Sequence, residues 1–179
     1  MLEIGCGTGH FTGWLAGQGA FALGLDLSAA MVAEARRRLP RLPLVRGDAR
    51  LLPIRGASVD VALFVATLEF LDDPAGALAE ATRVARRGIA IMALNRWSLG
   101  GLSRRFGRAR KSPLLSRARD LSVGSLRRDL VAAAGPRLDA IRWTSGLFPD
   151  GLWRIRWPVP VGGDVVGMAA LLRHVRARA

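Results

Sequence analysis

The chain has 179 residues, half of them hydrophobic, enough for one domain with a sizeable core. The longest uncharged run, residues 4–25, is interrupted by seven glycines, so no membrane-spanning helix is expected. One cysteine and two histidines exclude an internal disulfide and a cysteine-rich zinc site, and fit a reducing, cytoplasmic setting with no bound metal. The formal net charge of +13 is unevenly placed: residues 1–95 carry 10 basic and 9 acidic groups, and residues 96–179 carry 17 and 5.

The opening stretch, Met1-Leu2-Glu3-Ile4-Gly5-Cys6-Gly7-Thr8-Gly9, is an apolar run too short for a helix that ends in three alternate glycines. It predicts a strand, a tight turn and a helix over Phe11 to Gly17 with Thr8 as its N-cap. Glycines suit such a turn because they adopt positive φ and, lacking Cβ, let a ligand lie against the backbone. Cys6 reads as a small buried residue of the turn. Phe21 to Asp26 predicts a second strand, ending in an acid 17 residues beyond Gly9, where a doubly wound fold holds a ribose hydroxyl.

Ser28 caps a predicted helix that runs to Leu39 and is stopped by Pro40. Its tail, Arg36-Arg37-Arg38, lies where cations favour the helix dipole. Leu42 to Val45 reads as a third strand. Ser58 to Val65 reads as a fourth, apolar nearly throughout as a central parallel strand should be. Asp73-Pro74 supplies a cap and first-turn proline for a helix to about Arg86, and Gly88 to Leu94 is the fifth strand. Strands alternating with helices predict a parallel sheet covered on both faces.

Residues 96–128 hold 10 basic groups against one acid, Asp120, with Gly100-Gly101, Ser103 and Pro113 interrupting any helix. They read as a basic insertion after the fifth strand. Leu121 to Ala134 predicts a helix capped by Ser122 or Ser125 and stopped by Gly135-Pro136. Leu138 to Leu147 is the sixth strand, and the pattern of Val165 to Leu172 suits a strand or a helix. Arg142-Trp143 and Trp153-Arg154-x-Arg156-Trp157 have four readings: stacking on bases, a membrane interface, a pocket wall, or a hairpin with tryptophans on the sheet and solvated arginines.

Glycine spacing decides which nucleotide the first turn suits. A dinucleotide fingerprint starting at Gly5 needs glycine at position 10, which is His10. Glu3-x-Gly5-x-Gly7-x-Gly9 instead resembles motif I of the class I S-adenosylmethionine (SAM)-dependent methyltransferases. SAM has no phosphate, and residues 1–35 contain neither lysine nor arginine. Its sulfonium and ammonium suit the acids Glu3 and Asp26. Gly24-Leu25-Asp26-Leu27-Ser28-x-x-Met31 resembles the family's ribose-binding stretch. Gly47-Asp48-Ala49-x-x-Leu52-Pro53, followed by Ser58-Val59-Asp60-Val61, resembles the stretch that meets adenine. The resemblance covers residues 1–95 and is nearest to the small-molecule branch called type 11.

That resemblance implies a doubly wound α/β domain with a seven-stranded Rossmann-like sheet of order 3-2-1-4-5-7-6, which makes residues 165–172 a strand. It implies one methyltransferase domain over 1–179, with a SAM-binding half (1–95), a basic insertion (96–128) and a substrate-side half (129–179). Gly5, Gly7 and Gly9 would pack against the methionine part of SAM, with Glu3 in the loop network. Asp26 would bind the ribose diol, Leu27 and Met31 would flank adenine, and Asp48 with Ala49 would meet its amine. The implied reaction is methyl transfer to a small molecule, giving S-adenosylhomocysteine.

The sequence also departs from the family. Relatives carry helices ahead of the first strand, whereas here the strand begins at Met1, so the N-terminal cap is expected to be missing or the start to have been set downstream. Val65-Ala66-Thr67-Leu68-Glu69 stands where many relatives have a histidine, which leaves Glu69 as a candidate base or an ordinary loop acid. No Asn/Asp-Pro-Pro-aromatic run supports methylation of nucleobase amines or glutamine. Two alternatives stay open: an RNA methyltransferase using the basic half, and a non-catalytic remnant of the fold. Within 96–128, arginines interleaved with Leu99, Leu102, Leu114 and Leu115 suit an anionic lipid or membrane surface. Trp97 and Phe106 alone make a poor stacking platform for nucleic acid.

Overall fold

The computed structural model of the chain describes residues 1–94, 118, 119, 121–146 and 165–173. Residues 96–117 and 120 of the basic insertion 96–128, on which most of its expected lipid contact falls, and the stretch from Trp153 to Trp157 lie outside the described residues.

Strand β1 (Leu2–Ile4) leads through the glycine turn into α1 (His10–Gly17), followed by β2 (Leu23–Asp26), α2 (Ala29–Arg38) and β3 (Leu44–Arg46). Then come β4 (Val59–Val65), a single 3₁₀ turn (Leu68–Phe70), α3 (Pro74–Val84) and β5 (Ala85–Leu94). Helix α4 (Val123–Ala134), β6 (Leu138–Gly146) and β7 (Val165–Leu172) complete the described elements. The sheet order is β3-β2-β1-β4-β5-β7-β6, as the resemblance implies. Strand β7 runs antiparallel to both β5 and β6, and the other pairs are parallel.

The helices begin where side chains can satisfy their first free N–H groups. Ser28 Oγ accepts from Met31 N–H and Asp73 Oδ1 from Gly76 N–H. Ser122 and Ser125 form a reciprocal capping box at the start of α4. Helices α3 and α4 cover one face of the sheet, burying Phe64, Ile91 and Met168 beneath Leu78, Ala81, Leu126 and Leu130. On the other face α2 packs Val32 and Ala35 against Leu44 and Cys6, and α1 sets Leu15 against Ala22 and Leu63. Among the described residues no helix is long and apolar enough to cross a membrane.

Several boundaries differ from expectation. Helix α1 starts at His10, with Gly9 at φ 80° as its N-cap in place of Thr8. The left-handed glycine makes the turn, and the Thr8 hydroxyl accepts from Arg38 instead. Helix α3 ends at Val84, two residues before Arg86, and β5 starts at once at Ala85, paired with Val59. The Arg137 guanidinium donates to the carbonyls of Thr82 and Ala85, filling acceptors that a longer helix would have used itself. Strand β3 lies further along than expected, at Leu44–Arg46 rather than Leu42 to Val45.

Candidate functional site

The carboxyl ends of β1, β2 and β4 meet at the glycine turn. Gly5, Gly7 and Gly9 have φ of 77°, 53° and 80°, so all three use the region that disfavours side chains. Each also has a different neighbourhood. A Cβ on Gly5 would stand 2.2 Å from Thr67 Cγ2, and one on Gly9 would stand 2.7 Å from Leu39 Cδ1. A Cβ on Gly7 would meet nothing within 4 Å, so its backbone lies bare to the outside. The turn is anchored from below, where Gly5 and Cys6 N–H both donate to Leu25 carbonyl oxygen at 2.7 and 2.9 Å.

Asp26, at the end of β2, is held from two sides. Its Oδ2 accepts from Gly7 N–H and its Oδ1 from Ser28 N–H, each at 2.8 Å. Glu3 lies beneath the turn, buried, and accepts a hydrogen bond from the Thr12 hydroxyl of α1. Burial pushes the Glu3 carboxyl up to about 7, with Asp26 adding to the rise and Thr12 opposing it. The Cys6 thiol is buried, as expected, and is pushed up to about 12, first by burial and then by Glu3 and Asp26. Burial dominates both shifts, and the smaller contributions of Glu3 and Asp26 mark two carboxyl groups close to the turn, which when ionised favour a cation above it.

The remaining predicted residues fall around this centre. Leu27 and Met31 are exposed beside Asp26. Ala49 is buried, while Asp48 is clasped by Arg50 at 2.7 Å and held down to about 2, chiefly by that hydrogen bonding. Glu69 lies in the 3₁₀ turn and is fully buried. Its Oε1 accepts from Leu94 N–H at 2.6 Å, and its carbonyl oxygen accepts from Arg119 N–H. Ala66, just before it, has φ of 48°, an uncommon value for a residue with a side chain.

A family model described as a methyltransferase domain matches residues 2–92, just over half of the chain. The chain belongs to this family. A protein of Mycolicibacterium smegmatis, described as a probable SAM-dependent methyltransferase, is 39% identical over 88 residues, covering 49% of this chain and 34% of that protein. The malonyl-[acyl-carrier protein] O-methyltransferase of Pectobacterium atrosepticum is 36% identical over 110 residues, covering 60% and 44%. The chain thus spans less than half the length of these curated relatives. A crystal structure from Thermotoga maritima, of a SAM-dependent methyltransferase described as a possible histamine N-methyltransferase, superposes with a TM-score of 0.76. It is 29% identical, and the match covers 95% of this chain and 80% of that one.

The site fits SAM, the methyltransferase family's cofactor. Carboxylates lie under the turn, the Gly7 backbone is open above it, and apolar Leu27 and Met31 stand beside Asp26. Three residues around the site were not assigned to it by motif reasoning. Arg50 engages Asp48, and Thr12 supports Glu3. Arg38, expected to serve only the helix dipole, reaches Thr8 Oγ1 at 3.2 Å and His10 Nδ1 at 3.3 Å. The Asp48–Arg50 spacing was open to sequence reading; the other two pairings depend on how α1 and α2 pack.

Proposed function

We propose that the chain transfers the methyl group of SAM to a small-molecule acceptor, leaving S-adenosylhomocysteine. The observation that carries this reading is Asp26 fixed between the N–H groups of Gly7 and Ser28 at the mouth of a cation-favouring turn. Each carboxylate oxygen there keeps a lone pair, so the pair can accept from two vicinal hydroxyls. When bound, the cofactor supplies a methyl group made electrophilic by the sulfonium. Gly5, Gly7 and Gly9 give its methionine part a wall without side chains, and Glu3 holds the floor beneath them. Leu27 and Met31 flank the adenine. Asp48 and Ala49 meet its amine, Asp48 doing so while engaged by Arg50.

Rate enhancement then rests mainly on holding donor and acceptor in line. Glu69 stands as the candidate general base in the 3₁₀ turn after β4, and its carboxylate also holds the end of β5 through Leu94. Malonyl-[acyl-carrier protein] and demethylmenaquinone methyltransferases among the relatives support an acceptor other than nucleic acid. A single domain over 1–179 and a cytoplasmic setting belong to the same proposal.

Calorimetric titration with S-adenosylhomocysteine tests it. Asp26→Ala leaves ribose hydroxyls unpaired and is expected to weaken binding by about 1–3 kcal/mol. Equal affinity in variant and parent would refute the assignment of Asp26.

A further inference from the structure

The sheet face opposite α3 and α4 carries a cavity of about 650 Å³, within the roughly 300–1,000 Å³ range of small-molecule sites. Strand register determines its lining, because paired residues share a face. Leu63, Ala90, Ala169 and Arg142 form one transverse row across β4, β5, β7 and β6. Val65, Met92, Gly167 and Thr144 form the next. Both rows run from a branched aliphatic residue on β4 to a polar one on the edge strand, through small Ala90 and Ala169 in the first and Met92 and Gly167 in the second. Phe11 of α1 closes the apolar end. Among the described residues no acid lines the cavity, and Arg142 has no hydrogen bond or ion pair.

We propose that this cavity binds an amphipathic anion, an aliphatic or aromatic carboxylate whose charged end pairs with Arg142 and whose apolar body lies over Ala169 and Ala90 toward Leu63. Three strand spacings separate β4 from β6, about 14 Å, room for an extended chain of medium length. The small residues supply depth, and the unpartnered guanidinium supplies the selectivity for an anion. Val65 and Phe11 connect the apolar end to the site: Val65 accepts from Thr67 Oγ1, which also bonds Gly5, and Phe11 lies two residues beyond Gly9. Binding of the anion stands independently of methyl transfer. That the ligand is also the methyl acceptor rests on the proposed function, and it places the end remote from the carboxylate nearest the glycine turn.

Calorimetry with decanoate and decanol as probes, each below its micelle concentration, tests the proposal on the parent, Arg142→Gln and Ala169→Trp. The parent is expected to prefer decanoate. Arg142→Gln should weaken decanoate by about tenfold to a hundredfold, the range of a charged hydrogen bond, and leave decanol unchanged. Ala169→Trp fills the centre of the row and should abolish both. No decanoate binding by the parent, or equal binding by parent and both variants, overturns the proposal. A parallel titration with S-adenosylhomocysteine separates the two readings. Decanoate binding as described without S-adenosylhomocysteine binding supports the anion site and refutes the cofactor assignment, and the reverse overturns the anion site alone.

Discussion

Glu3→Gln probes the most perturbed acid of the candidate site. Glu3 is 3% exposed and its carboxyl stands at about 7 against an ordinary 4.5. Between those values the native protein holds a proton that the unfolded chain releases. Stability from this group is therefore full below pH 4.5 and is lost as pH rises to 7. A difference of about 2.5 pH units corresponds to about 3 kcal/mol. The amide of the variant cannot ionise, so the stability of Glu3→Gln relative to the parent is expected to rise by that amount between pH 4.5 and pH 8, then level off. Urea unfolding of both proteins at half-unit steps measures the difference, in which other carboxylates cancel. A bound cation favours the ionised form, so the affinity for SAM should rise with pH through the same window. A pH-independent difference in stability would refute the claim that Glu3 is buried at a cost.

Gly5→Ala combines a positive φ with a clash on Thr67 and is expected to destabilise by roughly 2–5 kcal/mol. Gly19→Ala, at φ 82° with nothing within 4 Å of its Cβ, is the control that isolates the backbone part; equal losses of melting temperature would discount the clash. Asp73→Ala removes the α3 cap and should cost about 1 kcal/mol in thermal unfolding, with Asp73→Asn recovering most of it. Arg137→Met leaves the carbonyls of Thr82 and Ala85 without their donor, an expected loss of about 1–3 kcal/mol by urea titration. An unchanged midpoint would show that solvent replaces the guanidinium.

Local chemistry made much of the chain legible without coordinates. Positive φ at three alternate glycines, the caps at Ser28, Asp73 and Ser122, and the acid closing β2 all follow from interactions within a few residues. The family resemblance supplied the order of the strands and made β7 a strand rather than a helix. Arg142 and Trp143, read together as one aromatic and basic feature, divide between the two faces because neighbours on a strand point oppositely. Arg142 pairs across to Ala169 and Trp143 to Met168.

What the sequence determined by itself were most of the elements, the starts of α2, α3 and α4 and the backbone shape of the glycine turn, because these depend on sterics and hydrogen bonds between near neighbours. Only the tertiary structure decided that Glu3 meets Thr12, that Arg38 reaches Thr8, and that Arg137 ends α3 from 52 to 55 residues away. It alone assembled the row from Leu63 to Arg142, since each member comes from a different strand and a shift of one residue in any pairing would turn that member to the other face.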